Sequence, residues 1–239
     1  MRNWIIAAAA LAAVVAPGVA AAQTGYVGAV YGNVDPDGAG DEDFYGIEGA
    51  VAFAGSGSIV FEVDAAIVDG DNSDTAYGVV GHVYARNDSH LVGGFVGFSD
   101  SDATDTTWSA GLEGAKYFDK WTLAGAVYYA NNDDADVDGY GVNVEGRYFI
   151  NDNFRVDAGV GYANADTNAG DNDITTFGVG TEYQFAQMPI SIRAGYRMTD
   201  GDFGDADTIT IGVRYNWGGT LRDRDRSGAS QASVVGIAF

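Results

Sequence analysis

The sequence contains no cysteine and little positive charge: 12 lysines and arginines stand against 34 aspartates and glutamates in 239 residues. The absence of cysteine excludes disulfides, thiolate zinc sites and a cysteine nucleophile. The formal net charge of −22 argues against a nucleic-acid-binding protein, because phosphates need a basic surface. The apolar fraction of 46% is too high for a disordered acidic chain, so the length predicts one or at most two folded domains.

The first 22 residues have the features of a secretory signal peptide. A basic start and an apolar run over residues 5–16 are followed by Pro17 and by small residues at 20–22, which suit a cleavage site. A transmembrane helix is the alternative, but the run is short and no basic flank follows it. No later run reaches 18 apolar residues, so we expect an exported protein that can contact a membrane only through strands.

Beyond residue 22, apolar and polar residues alternate with the period of β-strands. In residues 140–148, one face carries Tyr140 and Val142, and the other carries Asn143 and Glu145. The lengths of such runs are close to the ~9–11 residues that a tilted strand needs to cross a bilayer. The sequence predicts twelve strands: 24–33, 43–54, 58–68, 75–86, 90–99, 106–117, 121–131, 139–149, 153–163, 174–186, 189–198 and 207–217.

The connections between these strands alternate in kind. Even-numbered strands are followed by tight turns, and odd-numbered strands by longer segments rich in Asp, Asn, Gly and Ser. This pattern predicts the fold class: an all-β, up-and-down antiparallel transmembrane β-barrel. The first strand begins and the last strand ends on the periplasmic, short-turn side. Aromatic residues gather near both ends of the strands, as at two membrane interfaces. A soluble β-sandwich, the alternative, explains neither feature.

With this pattern the chain resembles the outer-membrane β-barrel proteins of Gram-negative bacteria, particularly the small porin-like ones. The resemblance covers residues 23–217 and implies contact with outer-membrane lipid and insertion by the barrel assembly machinery. Phe239 resembles the C-terminal assembly signal of the family, but about twenty residues separate it from the last strand. We therefore expect residues 218–239 to form a periplasmic tail, with a short extra strand over 231–239 as the alternative.

Thirteen charged residues are predicted to face the lumen. They are Glu48, Glu62, Asp64, Glu113, Glu145, Asp157, Glu182, Arg86, Arg147, Arg155, Arg193, Arg197 and Arg214. The acids of strands 2 and 3 lie six strands from the arginines of strands 8 and 9, on the opposite wall of a twelve-stranded ring. This arrangement predicts a transverse field across a constriction that passes hydrated polar solutes. Alternatively, arginines and acids pair and close the lumen.

Two further features bear on the lumen and its rim. The lining towards the long connections is mainly Gly, Ala, Ser and Thr, and no loop is long enough to fold in as a plug. The six long connections hold 22 of the 34 acids and no lysine or arginine. We therefore expect an anionic extracellular rim and a weak preference for cations.

One acidic segment matches a calcium-binding spacing. Asp134, Asp136 and Asp138 precede Gly139, and Glu145 stands at position 12 of the helix-loop-helix calcium pattern. That pattern needs flanking helices, whereas Glu145 is predicted to face the lumen from a strand. We expect at most weak Ca²⁺ or Mg²⁺ binding by the three aspartates, and no other cofactor.

The sequence favours a channel over an enzyme. It has only two histidines, and neither is placed for a catalytic group at the outer rim. We predict a porin-like channel for passive diffusion of small polar solutes, whose identity is left open together with the oligomeric state. The alternative is a non-conducting surface barrel with a structural or adhesive role.

Overall fold

In a computed structural model, the chain forms a closed barrel of twelve antiparallel strands, which confirms the predicted fold class and strand number. The structure describes residues 24–71, 75–101, 106–132, 135–168, 170–202 and 204–233. The predicted signal peptide therefore lies outside the described residues. In chain order the strands are β1 (Thr24–Pro36), β2 (Glu42–Ala54), β3 (Ile59–Gly70), β4 (Ala76–Arg86), β5 (His90–Ser101), β6 (Thr107–Tyr117), β7 (Trp121–Asn132), β8 (Val137–Asn151), β9 (Phe154–Thr167), β10 (Gly170–Gln184), β11 (Ile190–Gly201) and β12 (Ala206–Trp217).

The barrel is closed by a ladder between its first and last strands. β1 pairs with β12 from Gly25 opposite Trp217 to Pro36 opposite Ala206, and the other strands pair with their sequence neighbours. Since every strand has two neighbours, the wall satisfies its backbone hydrogen-bonding groups internally, as a bilayer requires. β1 begins and β12 ends at the end with the tight turns, here called the short-turn end. The opposite end is called the long-connection end.

Alternation along each strand separates a lipid-facing surface from the lumen. On β6, the apolar Leu112 is 68% exposed, whereas the adjacent Glu113 is only 4% exposed. Val96 on the neighbouring strand is likewise 63% exposed. In a soluble protein, apolar side chains lie inside and ionisable side chains outside. The opposite distribution seen here suits a barrel surrounded by hydrocarbon.

Several strands extend further at the long-connection end than the sequence predicts. β9 continues to Thr167 instead of residue 163, and β10 begins at Gly170 instead of residue 174. Asp166 lies opposite Asp171 in this extension. Cross-strand hydrogen bonds thus hold residue types that favour turns in a strand conformation. This effect of strand pairing cannot be predicted from the conformational preferences of single residues. Part of the predicted difference in connection length is therefore a difference in strand length.

Inside the barrel, the wall formed by β4–β7 is packed with apolar side chains. The buried cluster consists of Val80, Tyr84, Leu91, Phe95, Ala115, Tyr117, Ala124 and Ala126. The ring of Phe95 lies over Gly111, where an added Cβ would come within 2.7 Å of the ring. Most of this cluster lies in the middle and the short-turn half of the barrel, whereas the expectation of small side chains concerns the half towards the long connections. In the packed wall, inward aromatic rings use the space that glycines leave.

After β12 the chain turns back towards the lumen. Gly218 and Gly219 have φ angles of 93° and 107°, which favour glycine and allow this reversal. A short helix, α1 (Leu221–Ser227), follows, and Thr220 caps it through a reciprocal capping box with Asp223. The described residues contain no helix of the length and apolarity needed to cross a membrane.

Residues 218–233, here called the C-terminal segment, lie against the inside of the wall at the short-turn end. The sequence analysis treats residues 218–239 as a tail beyond the barrel, and 231–239 as the alternative extra strand. The contacts given below instead fold the described part of this stretch into the mouth of the barrel. Residues 234–239 lie outside the described residues.

Candidate functional site

The lumen contains a cavity of about 960 Å³. Its lining extends from Val34 and Ala206, near the long-connection end, to Ser230 and Ser233 of the C-terminal segment. Glycines and threonines of β10–β12 contribute much of the wall beside it. The cavity therefore occupies the side of the lumen opposite the packed wall of β4–β7, and the C-terminal segment forms its floor.

Arginines and acids that line this cavity form a paired network. Glu48 lies 2.8 Å from Nε of Arg214 and 3.0 Å from Nη1 of Arg193. Glu182 accepts from Arg214 at 3.0 Å and lies 3.5 Å from Arg155. The Arg214 guanidinium also stacks on the ring of Tyr26, 3.9 Å from its centroid. Paired in this way, the charges are held in place and largely neutralise one another.

Three further predicted residues, Glu145, Asp157 and Arg197, complete this wall. Arg155 donates to Asp157 on its own strand at 3.1 Å. Glu145 similarly pairs with Arg147, two residues further along β8. Arg197 lines the cavity but forms no ion pair or hydrogen bond with any residue of the described chain.

The C-terminal segment is bound to the wall at its centre by Arg147 and Asp225. Arg147, which is 1% exposed, donates to Oδ1 of Asp225 at 2.7 Å and to Ser233 at 3.1 Å. The other carboxylate oxygen of Asp225 accepts from the Thr122 hydroxyl at 2.5 Å. Arg224 donates to Oε1 of Gln184 at 2.6 Å. These charge-assisted bonds join α1 to β7, β8 and β10.

A second group of contacts holds the stretch that follows α1. Arg86 donates to the Gly228 carbonyl at 2.8 Å and to the Ser230 hydroxyl at 3.1 Å. Oε1 of Glu62 accepts from the backbone N–H groups of Ser230 and Gln231, each at 3.0 Å. Because Gln231 is fully buried, this stretch lies within the barrel and not on its surface.

The edge of the short-turn mouth supplies the remaining contacts. Arg222 pairs with Asp119 at 3.1 Å and with Asp152 at 3.2 Å, and Arg226 donates to backbone carbonyls at Phe118 and Trp121. The basic residues of α1 thus contact turns from two hairpins. The pKa of Asp223 lies below its usual value, mainly because its carboxylate accepts a hydrogen bond from the Thr220 backbone N–H.

His82 lies within a separate group of acids. Its Nε2 is 3.0 Å from Oδ2 of Asp64, and its Nδ1 is 3.0 Å from Oε2 of Glu113. The Tyr84 hydroxyl donates to Glu62 at 2.6 Å. These side chains come from β3, β4 and β6, and they border the packed side of the lumen.

The predicted lumen residues therefore do not form the expected arrangement, in which acids on one wall face arginines on the opposite wall. Glu48 pairs with arginines of β11 and β12, while Glu62 binds the C-terminal segment. Arg147 and Arg155 have acid partners on their own wall. Glu48 and the arginines of β8 and β9 have local partners and so do not set up the predicted field across the lumen, whereas Glu62 and Asp64 form no ion pair with an arginine among the described residues. The strand alternation indicates which side chains face inward, but it contains no information about which of them pair.

The sequence analysis missed the C-terminal segment as part of the site. The available signals were a helix-capping pattern, Thr220 with Asp223, and inward polar residues near the short-turn end that lacked predicted partners. Thr122 and Gln184 are such residues. The alternating charges of residues 222–226 are a third signal, because a solvated tail does not require them.

The predicted calcium-binding segment is only partly described. Asp134 lies outside the described residues. Asp136 occupies a turn with a φ of 53°, and Asp138 accepts a hydrogen bond from the Tyr129 hydroxyl at 2.8 Å. Among described residues, the group of three side chains able to hold an ion is Glu62, Asp64 and His82, which does not include this segment.

A comparison with protein families shows which family the chain belongs to. Residues 101–222 match the model of the Gram-negative porin family. The chain belongs to this family. As a porin, it resides in the outer membrane, in contact with the lipid bilayer, and it is related to proteins that form channels there. No curated protein matches the chain significantly.

Solved structures share the porin's fold at low sequence identity. An outer-membrane channel from Pseudomonas putida F1 is 12% identical, with a TM-score of 0.63 over 84% of this chain and 99% of that one. The KdgM porin is 12% identical, with a TM-score of 0.56 over 80% of this chain and 99% of its own. The translocator domain of the autotransporter NalP from Neisseria meningitidis is 10% identical, with a TM-score of 0.56 over 90% and 95%. These similarities establish a common barrel architecture.

Proposed function

We propose that this porin is a channel for passive diffusion of small polar solutes, with a weak preference for cations. The observation that carries the proposal is the cavity of about 960 Å³ inside a barrel of the porin family. Its lining combines small side chains, such as Gly178 and Thr210, with held charges such as Arg193 and Glu48. Such a surface replaces part of the hydration of a polar solute and disfavours an apolar one.

The proposed cation preference comes from the rim and not from the cavity. Most lumen charges are paired, so their fields largely cancel. At the long-connection end, in contrast, acids lie opposite acids: Asp35 faces Asp207 between β1 and β12, and Asp138 faces Asp166 between β8 and β9. A negative rim raises the local concentration of cations and lowers that of anions.

A second function is favoured by the C-terminal segment. This segment crosses the short-turn end and is bonded to β3, β4, β7, β8 and β10 in the described structure. Together with the arginine–acid pairs, it supports the alternative of a barrel closed at one end, with a structural or adhesive role at the cell surface. The two proposals differ in whether the segment stays docked under working conditions.

Planar-bilayer conductance separates these proposals. The refolded full-length protein is compared with Asp225→Asn, which weakens the bonds of the segment to Arg147 and Thr122. Asp88→Asn, at an exposed short turn of the same barrel end, is the matched control. Discrete current steps from the full-length protein support the channel. Steps that require Asp225→Asn support a channel whose segment closes it.

If none of the three proteins gives current steps, although heat-modifiable gel migration shows that each is folded, the channel proposal is contradicted and the closed barrel is favoured. Liposome swelling with neutral and charged sugars then ranks the solutes of a conducting form. Acidic oligosaccharides belong in that panel because the KdgM porin was solved in complex with disordered oligogalacturonate.

The proposal includes no catalysed reaction. Both ring nitrogens of His82 face carboxylates, and His90 lies at a short turn next to Asn87 and Ser89. The proposed partners are therefore the diffusing solutes and the surrounding lipid, together with the assembly machinery that inserts the barrel.

A further inference from the structure

A buried cluster of ionisable side chains lies on the lumen side of β3, β4 and β6. Glu62 and Asp64 belong to β3, His82 to β4 and Glu113 to β6. Their exposed fractions are 1%, 7%, 2% and 4%. Glu62 lies directly opposite His82 in the strand register. Atoms able to ligate a metal ion on Glu62, Asp64 and His82 all lie within 4.8 Å of one another.

The imidazole ring of His82 is held in a defined orientation. Its Nδ1 is 3.0 Å from Glu113 and its Nε2 is 3.0 Å from Asp64. When Nδ1 carries the proton and donates it to Glu113, Nε2 presents a lone pair towards Asp64. A carboxylate behind a histidine in this way is the usual support of a metal-ligating imidazole, because it fixes the tautomer and raises the basicity of the ligand.

The acids of the cluster carry more acceptor capacity than the described residues satisfy. Oδ1 of Asp64 and Oε1 of Glu113 are buried and have no hydrogen-bond donor within the described chain. Arg86, the adjacent cation, donates to Gly228 and Ser230 instead of to these carboxylates. Three buried carboxylates thus face one imidazole, an excess of negative charge that burial makes costly.

Glu62 is positioned by neighbours outside the cluster. Its Oε2 accepts from the Tyr84 hydroxyl, and its Oε1 accepts from two backbone N–H groups of the C-terminal segment. Both lone pairs of Oε1 are used by these two N–H groups, but Oε2 keeps a second lone pair beyond its bond from Tyr84. Hydrogen-bonded carboxylates of this kind are typical of pre-organised metal ligands.

We propose that Glu62, Asp64 and His82 bind one divalent transition-metal ion of the zinc type, with Glu113 orienting His82. Zinc binds nitrogen and oxygen at about 2.0–2.2 Å, so two of its tetrahedral ligands stand roughly 3.3 Å apart. The 3.0 Å between His82 Nε2 and Asp64 Oδ2 needs to widen only slightly. The imidazole ligand favours such an ion over Ca²⁺ or Mg²⁺, and Asp64 lines the cavity through which the ion enters.

Equilibrium dialysis of the folded full-length protein against Zn²⁺ tests this site, with excess Mg²⁺ present to occupy oxygen-only sites at the acidic rim. We expect one zinc ion per chain that His82→Gln removes. His90→Gln, which changes the other histidine at an exposed turn, is the matched control and retains the ion. Glu113→Gln weakens zinc binding by about tenfold to a hundredfold, the usual cost of losing such a supporting carboxylate.

A second variant keeps the test decisive if His82→Gln does not fold. Asp64→Asn is nearly isosteric, and heat-modifiable gel migration establishes that it is folded. Zinc that binds the wild type and Asp64→Asn equally would overturn the proposal, as would a wild type that takes up none. X-ray absorption of the zinc-loaded protein should show one imidazole among oxygen ligands, and oxygen ligands alone would contradict the site. These readouts are independent of conductance, so they do not depend on the proposed channel function.

Discussion

At the scale of single residues, large side chains inside the barrel pack against glycines, which have no side chain. The ring of Phe95 lies over Gly111, where an added Cβ would clash with the backbone oxygen of Val127 and come within 2.7 Å of Cζ of the ring. Gly178 also faces the lumen from a strand, but an added Cβ there would meet its nearest neighbour, a backbone oxygen of Tyr196, at 3.6 Å. The two inward glycines thus have different roles: Gly111 makes room for a ring and for a neighbouring backbone oxygen, whereas Gly178 borders open space.

We expect Gly111→Ala to destabilise the barrel by about 1–3 kcal/mol, the usual cost of overpacking a fitted interior. Gly178→Ala should remain within roughly 0.5 kcal/mol of the wild type, as an unstrained surface-like change does. Urea unfolding in lipid vesicles measures both. Equal losses of stability would show that crowding by the Phe95 ring and the Val127 backbone does not require glycine at position 111.

A second residue-scale prediction concerns Arg197. It lines the cavity and lacks an ion pair among the described residues, so no acid in direct contact offsets its positive charge. Arg197→Gln should therefore raise the cation-to-anion permeability ratio of a conducting form. Lys116→Gln removes the same charge on the exposed outer side of β6 and should leave the ratio unchanged. Reversal potentials in a salt gradient give both values, and a ratio that falls in Arg197→Gln would contradict the assignment.

At the scale of elements, the C-terminal segment could not be predicted from strand periodicity. The twelve strands could be, because each must alternate to meet lipid on one side, and this constraint is local. Docking of the C-terminal segment depends on partners that are far apart in sequence, such as Arg147 with Asp225 and Arg86 with Gly228. Periodicity is insensitive to such pairs, just as it misplaced the ends of β9 and β10.

The capping box of α1 makes this segment sensitive to acid. Because hydrogen bonds from Thr220 hold the pKa of Asp223 below its usual value, ionised Asp223 stabilises the folded segment. That contribution is complete above the unfolded pKa of about 3.9 and is lost as the pH falls through the lower folded pKa. Hydrogen exchange of the α1 amides, corrected for intrinsic rates, should show protection decreasing in this acid range.

Asp223→Asn isolates the part of this effect that belongs to the capping carboxylate. It keeps an acceptor oxygen but cannot ionise, so it should lower α1 protection at neutral pH and reduce the acid-dependent change. Asp225 and the arginines of α1 remain in place and supply a common background. Wild-type protection retained by Asp223→Asn at neutral pH would show that the cap contributes nothing to docking.

At the scale of the whole molecule, the charge is divided between rim and interior. The six long connections predicted from sequence carry 22 acids and no lysine or arginine, and the strand extensions place acids such as Asp35 and Asp207 opposite one another. This division could be predicted from the sequence because it needs only the order of turns and strands. The internal pairing of Glu48 or Glu182 with particular arginines could not, since it depends on how side chains cross a lumen.

Salt should abolish the selectivity that the rim provides. The Debye length falls from about 10 Å at 0.1 M to about 3 Å at 1 M ionic strength, so the rim acids cease to act at the distance of the pore axis. We expect the cation-to-anion permeability ratio of a conducting form to approach one over this range. A ratio that is constant with salt would instead assign selectivity to groups inside the lumen, where screening is weaker.

The position of the C-terminal segment in the chain sets an order of events. The segment follows β12, and the residues that receive it on β3, β4, β7, β8 and β10 surround a finished lumen only after β1 and β12 have paired. Its complete binding site exists only when β3 to β10 have paired, so the short-turn end is closed by bonds to a wall that must already be built.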